Sequence, residues 1–479
     1  MLYANQTEFS RRNFMKRGAQ AAALTGVASY ATGLTAIGEA AAFSAGNDDY
    51  KALVCVFLKG GNDHSNTLIP FDATNYARYS ALRGGDGEGG GGLALPRASL
   101  AQTVLQPAEG QTLTDDQLFA LSPAMTRLSG LYRQGAMAPL LNIGPLLAPL
   151  TLEQYKSRNH KANPRPAKLF SHNDQQSTWQ SGLPEGAPTG WGGRIGDLAR
   201  NSNANPVFTS ITASSNEVFL AGRGTTAYAV SSNGAVELRP VTRGLYRSPE
   251  AGNAMRQLLT GTREHVLEAD YTRIARRSLD AQGFIDDALS SANLATSFDD
   301  PSGRNGLANE LRIVARLIAA RQSLGVKRQV FIVTTGGFDN HDDLIDKHEG
   351  LLSKLDFALD AFYRATVELG VANQVTSFTA SDFGRTLTSN GDGSDHGWGS
   401  HHFVVGGSVA GAQFYGTAPH MSDETDDQVG RGRLLPSMAV DQMASTLALW
   451  FGVAPSELST VLPNIGRFPS ADLGFLRAA

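Results

Sequence analysis

The segment from Arg328 to Ala380 constrains the fold of this chain more than any other. Arg328 to Thr334 reads as a buried strand around the apolar run Val330 to Thr334. Asp342 to Leu369 has the length of a long helix, with Leu351, Leu355, Phe357, Leu359 and Phe362 as its apolar positions. Val375 to Ala380 is a second apolar, β-prone run. Short continuous apolar runs read as buried strands. Two of them joined by a long helix form the crossover of a parallel α/β sheet. Lys51 to Leu58 and Ala138 to Ile143 read as further strands of this kind. Helical spacing is expected over Ser122 to Tyr132, Gly190 to Arg200, Gly306 to Leu324 and Val440 to Phe451. Ser202 to Val241 turns often and is expected to form short strands or a cap, within a cap or insertion region at about 202–300 that is irregularly helical from Ser248.

Chemistry gathers at the ends of the expected strands, where open α/β sheets place their sites. Gly60-Gly61-Asn62-Asp63 follows the first strand, with Ser65 two residues on. Asp339 and His341 follow Arg328 to Thr334, and Asp382 follows Val375 to Ala380. Asp395 and His396 lie on a loop, Ser381 to His402, that is expected to run into a strand at Phe403 to Gly406. With His401 and His402, that loop carries three of the ten histidines. Carboxylate and imidazole on neighbouring strand ends are the mixed donors of a zinc or manganese site, more than of magnesium alone. Ser171 differs in kind: it precedes an expected helix, and its position alone reads as an N-cap. The adjacent His172 either assists that hydroxyl, ligates or packs. Arg385 either clamps an anionic substrate or pairs with Asp382.

The N-terminus reads as an address. Ser10-Arg11-Arg12-Asn13-Phe14-Met15-Lys16 has the form of a twin-arginine export motif, an uncharged Ala- and Gly-rich run follows, and Ala40-Ala41-Ala42 offers a cleavage site. A signal peptide over 1–42 is therefore expected, with the twin-arginine machinery as partner, a periplasmic or extracellular destination and no permanent membrane span. A formal charge of −4 without an extended basic run argues against nucleic acid as a partner. The one cysteine, Cys55, sits in the first strand and reads as core packing.

Taken in order, the leader, GGND, LFSHNDQQSTW, TGWGGR, GGFDNH, SDFGRT and DHGWGSHHF resemble the exported bacterial family called domain of unknown function 1501. That family is similar to the alkaline phosphatase and sulfatase superfamily. The resemblance implies a doubly wound, mostly parallel sheet flanked by helices over 43–479, one or two divalent metals, and a nucleophile at a helix start. It implies Asp63, Asp339, His341 and Asp382 as metal ligands, with His396 or His402 as the last, and it places Ser171 near the nucleophile; Asp395, from its position beside His396, is expected in the same ligand set. Phe383 stands where the superfamily has a metal-binding His, and the two-residue spacing of Asp339 and His341 is shorter than usual. The expected function is metal-dependent hydrolysis of small anionic phosphate or sulfate esters. The alternative is a non-catalytic envelope protein that keeps the fold and a structural metal.

Overall fold

The computed structural model describes residues 49–85, 92–242, 244 and 248–477. The leader expected over 1–42 lies outside them. The strands are β1 (Lys51–Leu58), β2 (Leu68–Pro70), β3 (Val104–Leu105), β4 (Phe119–Leu121), β5 (Met137–Gly144), β6 (Ser210–Thr212), β7 (Tyr228–Ser231), β8 (Gly234–Ala235), β9 (Arg328–Thr335), β10 (Val375–Ser381), β11 (Ser400–Gly406) and β12 (Met438–Ala439). Nine of them form one mixed sheet in the order β12-β5-β11-β10-β1-β9-β6-β7-β8, and β2, β4 and β3 form a small second sheet. The central run from β10 to β7 is parallel throughout.

β1 shows why its sequence takes this place. All eight of its residues are buried. Successive side chains in a strand point to opposite faces. Ala52, Val54, Val56 and Leu58 accordingly join one core, and Leu53, Cys55 and Phe57 join the other. The first core is closed by helices Gly306–Ala319 and Leu344–Glu368, through residues such as Leu311, Val314, Leu355 and Leu359. Helices Trp191–Ala199 and Val440–Phe451 close the second, through Ile195, Leu198, Met443 and Leu447. Helices on both faces of a mostly parallel sheet make the fold doubly wound, as expected. Full burial of one such aliphatic side chain is worth about 1.5–3 kcal/mol, and β1, like β9 and β10 beside it, contributes such side chains to both layers.

The segment expected to form short strands or a cap forms short strands, β6, β7 and β8, which extend the main sheet beside β9. Another stretch departs from expectation. β11 begins at Ser400 rather than Phe403, and it pairs antiparallel with β10 and β5. His401 and His402 are thus strand residues, not loop residues. Alternation sends them to opposite faces: His401 meets His64 and Phe119, and His402 meets Trp179.

Candidate metal centre

The carboxyl ends of β1, β9 and β10 meet the start of helix His172–Ser181, and Gly60 is where they join. Its φ is +116°, and a Cβ there would lie 2.4 Å from the backbone nitrogen of Asp339. Only glycine tolerates both the dihedral and the approach. Its N–H donates to Asp382 Oδ1 at 3.2 Å, and its carbonyl accepts from Arg385 Nη1 at 3.1 Å.

Helix His172–Ser181 follows a sharp turn in which Lys168 and Phe170 both have positive φ, 45° and 75°. Ser171 is its N-cap residue, but the hydroxyl does not cap. It donates instead to Asp174 Oδ2 at 3.0 Å, and Lys168 Nζ lies 3.3 Å from the same oxygen. His172 Nδ1 lies 2.6 Å from Asp382 Oδ2, and Gln176 Nε2 donates to that oxygen at 2.9 Å. Residues four apart share a helix face, so one carboxylate takes both.

The imidazoles are oriented by what they touch. Asp382 can only accept from His172, so Nδ1 carries the proton and Nε2 is left facing Asp339 Oδ2 at 3.4 Å. His396 Nδ1 is 2.7 Å from the Phe170 carbonyl, which likewise only accepts. Its Nε2 is left 3.2 Å from Asp339 Oδ1 and 2.9 Å from His341 Nε2. His341 Nε2 is itself 3.2 Å from Asp339 Oδ1. Three Nε2 atoms thus surround one carboxylate. The donors of His172, Asp339 and His396 lie within 4.8 Å of one another and could hold a metal ion.

This donor set fits a divalent cation. Ligands held tetrahedrally at zinc bond lengths lie about 3.3–3.4 Å apart; the His172–Asp339 and His396–Asp339 separations are 3.4 and 3.2 Å. Tethering of each Nδ1 to a carboxylate or carbonyl is also the usual outer arrangement of metal-binding histidines.

Charge shapes the same cluster. Arg385 is fully buried and pairs with Asp339, Nη1 to Oδ1 at 2.8 Å, not with Asp382. Burial raises the Asp339 carboxyl, but Arg385 above all, then His172 and His341, outweigh it and hold the group below the carboxylate range. The hydrogen bond to Asp382 raises His172 against the opposing effect of burial. Burial lowers His396. Asp395 stands behind His341, with Oδ1 3.4 Å from Nδ1, and it pairs with Arg431 at 2.8 Å.

Asp63 and His402, both expected as ligands, are placed elsewhere. Asp63 is buried in an ion pair with Arg83, Oδ2 to Nη2 at 2.8 Å, and accepts from Ser394 Oγ and the Asn66 N–H. Burial opposes its charge, but Arg83, His348 and His64 prevail and hold it well below the carboxylate range. His402 is buried under Trp179 with its Nδ1 3.3 Å from Thr379 Oγ1, and burial pushes its pKa down to about 3. Asp339, His341 and His396 lie together, and His172 joins them. Asp382 and Asp395 orient imidazoles from outside. The sequence reading gave no role to Gln176 or to the Phe170 carbonyl. Gln176 was findable, because it lies one helical turn after His172; the carbonyl left no sequence signal.

The family described as "Protein of unknown function (DUF1501)" matches residues 50–458. The chain belongs to that family. No curated protein matches it. Among solved structures, this DUF1501 chain is similar to a sulfatase from Pseudoalteromonas sp., with 8% identity over 92% of this chain and 76% of that one and a TM-score of 0.36. It is also similar to the lipoteichoic acid synthase of Listeria monocytogenes, with 8% identity, 86% and 74% coverage and a TM-score of 0.32. The alkaline phosphatase of the Antarctic bacterium TAB5 matches at 10% identity, 75% and 93% coverage and a TM-score of 0.28. Likenesses this loose leave the DUF1501 site to be read from its own residues.

Proposed function

We propose that this DUF1501 protein is an exported, metal-dependent hydrolase of phosphate or sulfate esters. The observation that carries the reading is the convergence of His172 Nε2, His396 Nε2 and the Asp339 carboxylate at separations suited to one divalent ion. His172, Asp339 and His396 would hold that ion, zinc or manganese, with His341 beside them. A bound cation supplies polarisation of the ester oxygen and a lowered pKa for an attacking hydroxyl or water. Asp382 and Gln176 fix the His172 ring. Arg385 balances the charge of Asp339 and holds its carboxylate in place. Ser171, at the start of the helix, is the nucleophile candidate; its hydroxyl reaches Asp174, whose carboxylate takes the proton in that role. The positive end of the same helix faces negative charge that develops there.

The envelope-protein reading draws on the Arg385–Asp339 pair, which already neutralises the carboxylate within the protein. One experiment separates the two. Mature protein is stripped with chelator, reloaded with zinc or manganese, and assayed on aryl phosphate mono- and diesters and aryl sulfates. Hydrolysis should return with metal, and should be lost in His172→Ala and His396→Ala together with the metal. Ser171→Ala should keep the metal and lose turnover by orders of magnitude. Stoichiometric metal without turnover on any ester would favour the envelope protein. Failure to bind metal in elemental analysis would remove the site assignment itself.

A further inference from the structure

Helix Val266–Ser291, the turn before it and the loop before β6 line an open cleft of about 460 Å³. Arg263, Arg273, Arg276 and Arg277 line it, and Phe208 and Phe284 supply apolar wall. Asp280 is the only carboxylate lining it among the described residues. Its size is that of a small-molecule site. We infer that this cavity binds an amphiphilic anion: a phosphate or sulfate group carried on an apolar body.

Helix capping explains only part of the basic cluster. Arg263 donates to the Leu258 carbonyl at 2.8 Å and Arg276 to that of Thr260, both at the C-terminal end of helix Pro249–Thr260. These acceptors are neutral carbonyls, so four guanidinium groups face one lining carboxylate, Asp280, among the described residues. Arg273 pairs with Asp270. Arg277, half-buried, has no hydrogen-bond or ion-pair partner among the described residues, and burial together with Arg273 pulls it below its usual value. Guanidinium groups are suited to forked contacts with phosphate or sulfate oxygens.

The apolar half of the ligand is called for by what lies beside the arginines. Val207, Phe208, Ala269, Ala281 and Phe284 line the cleft among the arginines, and Phe284 is 54% exposed. An apolar wall beside guanidinium groups suits a ligand with an apolar body.

The test titrates metal-loaded mature protein with dihexanoyl phosphatidylglycerol as monomers, by calorimetry, against dihexanoyl phosphatidylcholine and inorganic phosphate. Saturable binding of the anionic lipid is expected, at least tenfold tighter than either control. Arg273→Ala with Arg277→Ala should weaken it at least tenfold while leaving metal content and thermal unfolding unchanged. If that variant does not fold, Phe284→Asp, at an exposed position, should weaken binding in its place. Co-sedimentation with phosphatidylglycerol vesicles then tells a bilayer lipid from a soluble amphiphile. Equal binding of the zwitterionic lipid, or wild-type affinity in the folded arginine variant, would overturn the inference.

Discussion

Replacing Asp63 by asparagine separates a structural anchor from a metal ligand. Asp63 and Arg83 are at most 1% exposed and lie 2.8 Å apart. In Asp63→Asn the amide oxygen can still accept from Asn66 N–H or Ser394, but the charge facing Arg83 is gone. The guanidinium then meets neutral acceptors, among them the carbonyls of Thr386 and Leu387 at 3.2 and 3.4 Å. Removing one partner of a buried ion pair costs about 3–5 kcal/mol. The retained polar contacts put the asparagine variant near the lower end, at about 3 kcal/mol. Urea unfolding followed by circular dichroism should show this as a lower midpoint at pH 7. Asp63→Leu combined with Arg83→Met should be less destabilised than the sum of the single changes, with a coupling of about 2 kcal/mol or more. Because the folded-state carboxyl titrates below its unfolded value, its contribution is present above about pH 4 and is lost as the pH falls further. The gap between wild type and Asp63→Asn should therefore close in acid. Zinc content of the folded variant should match wild type. A loss of stability under about 1 kcal/mol would refute the anchor, and a loss of zinc would restore Asp63 as a ligand.

Two further outcomes follow. Asp382→Asn can offer an amide N–H to His172 Nδ1, which favours the tautomer whose Nε2 carries the proton; zinc affinity should fall by about 10–100-fold, measured by competition with a chromophoric chelator, and unchanged affinity would detach Asp382 from the site. Arg11→Lys with Arg12→Lys should leave unprocessed precursor in the cytoplasm on fractionation, and mature protein in the periplasm would exclude the twin-arginine route.

How far the sequence could be read depended on whether a residue's neighbours along the chain explain its surroundings. β1, β9 and β10 are legible because apolar and β-branched residues dominate the centre of each where both faces are buried, although β10 also buries Thr376, Ser377 and Thr379. His401 and His402 defeat the same logic. Ser400-His401-His402 reads as loop, yet it is buried strand. Burial keeps both rings neutral, and hydrogen-bonding groups are supplied by the Asn142 N–H and by Thr379. Asp63 and Asp382 both follow neighbouring parallel strands, Asp382 at once and Asp63 after the turn at Gly60 and Gly61, and the sequence alone could not separate their roles. Arg83, at the end of helix Ala73–Leu82, took the first, and His172, at a helix start, took the second. Both partners are distant in sequence, and neither pairing could be counted out along the chain.

Gly60 uses its two backbone dipoles on groups of opposite sign, the N–H on Asp382 and the carbonyl on Arg385. The anion that steers His172 and the cation that steadies Asp339 are therefore coupled through one residue without touching each other. Any side chain at Gly60, whose φ is +116° and whose added Cβ would lie 2.4 Å from the Asp339 nitrogen, would therefore disturb both flanks of the cluster at once.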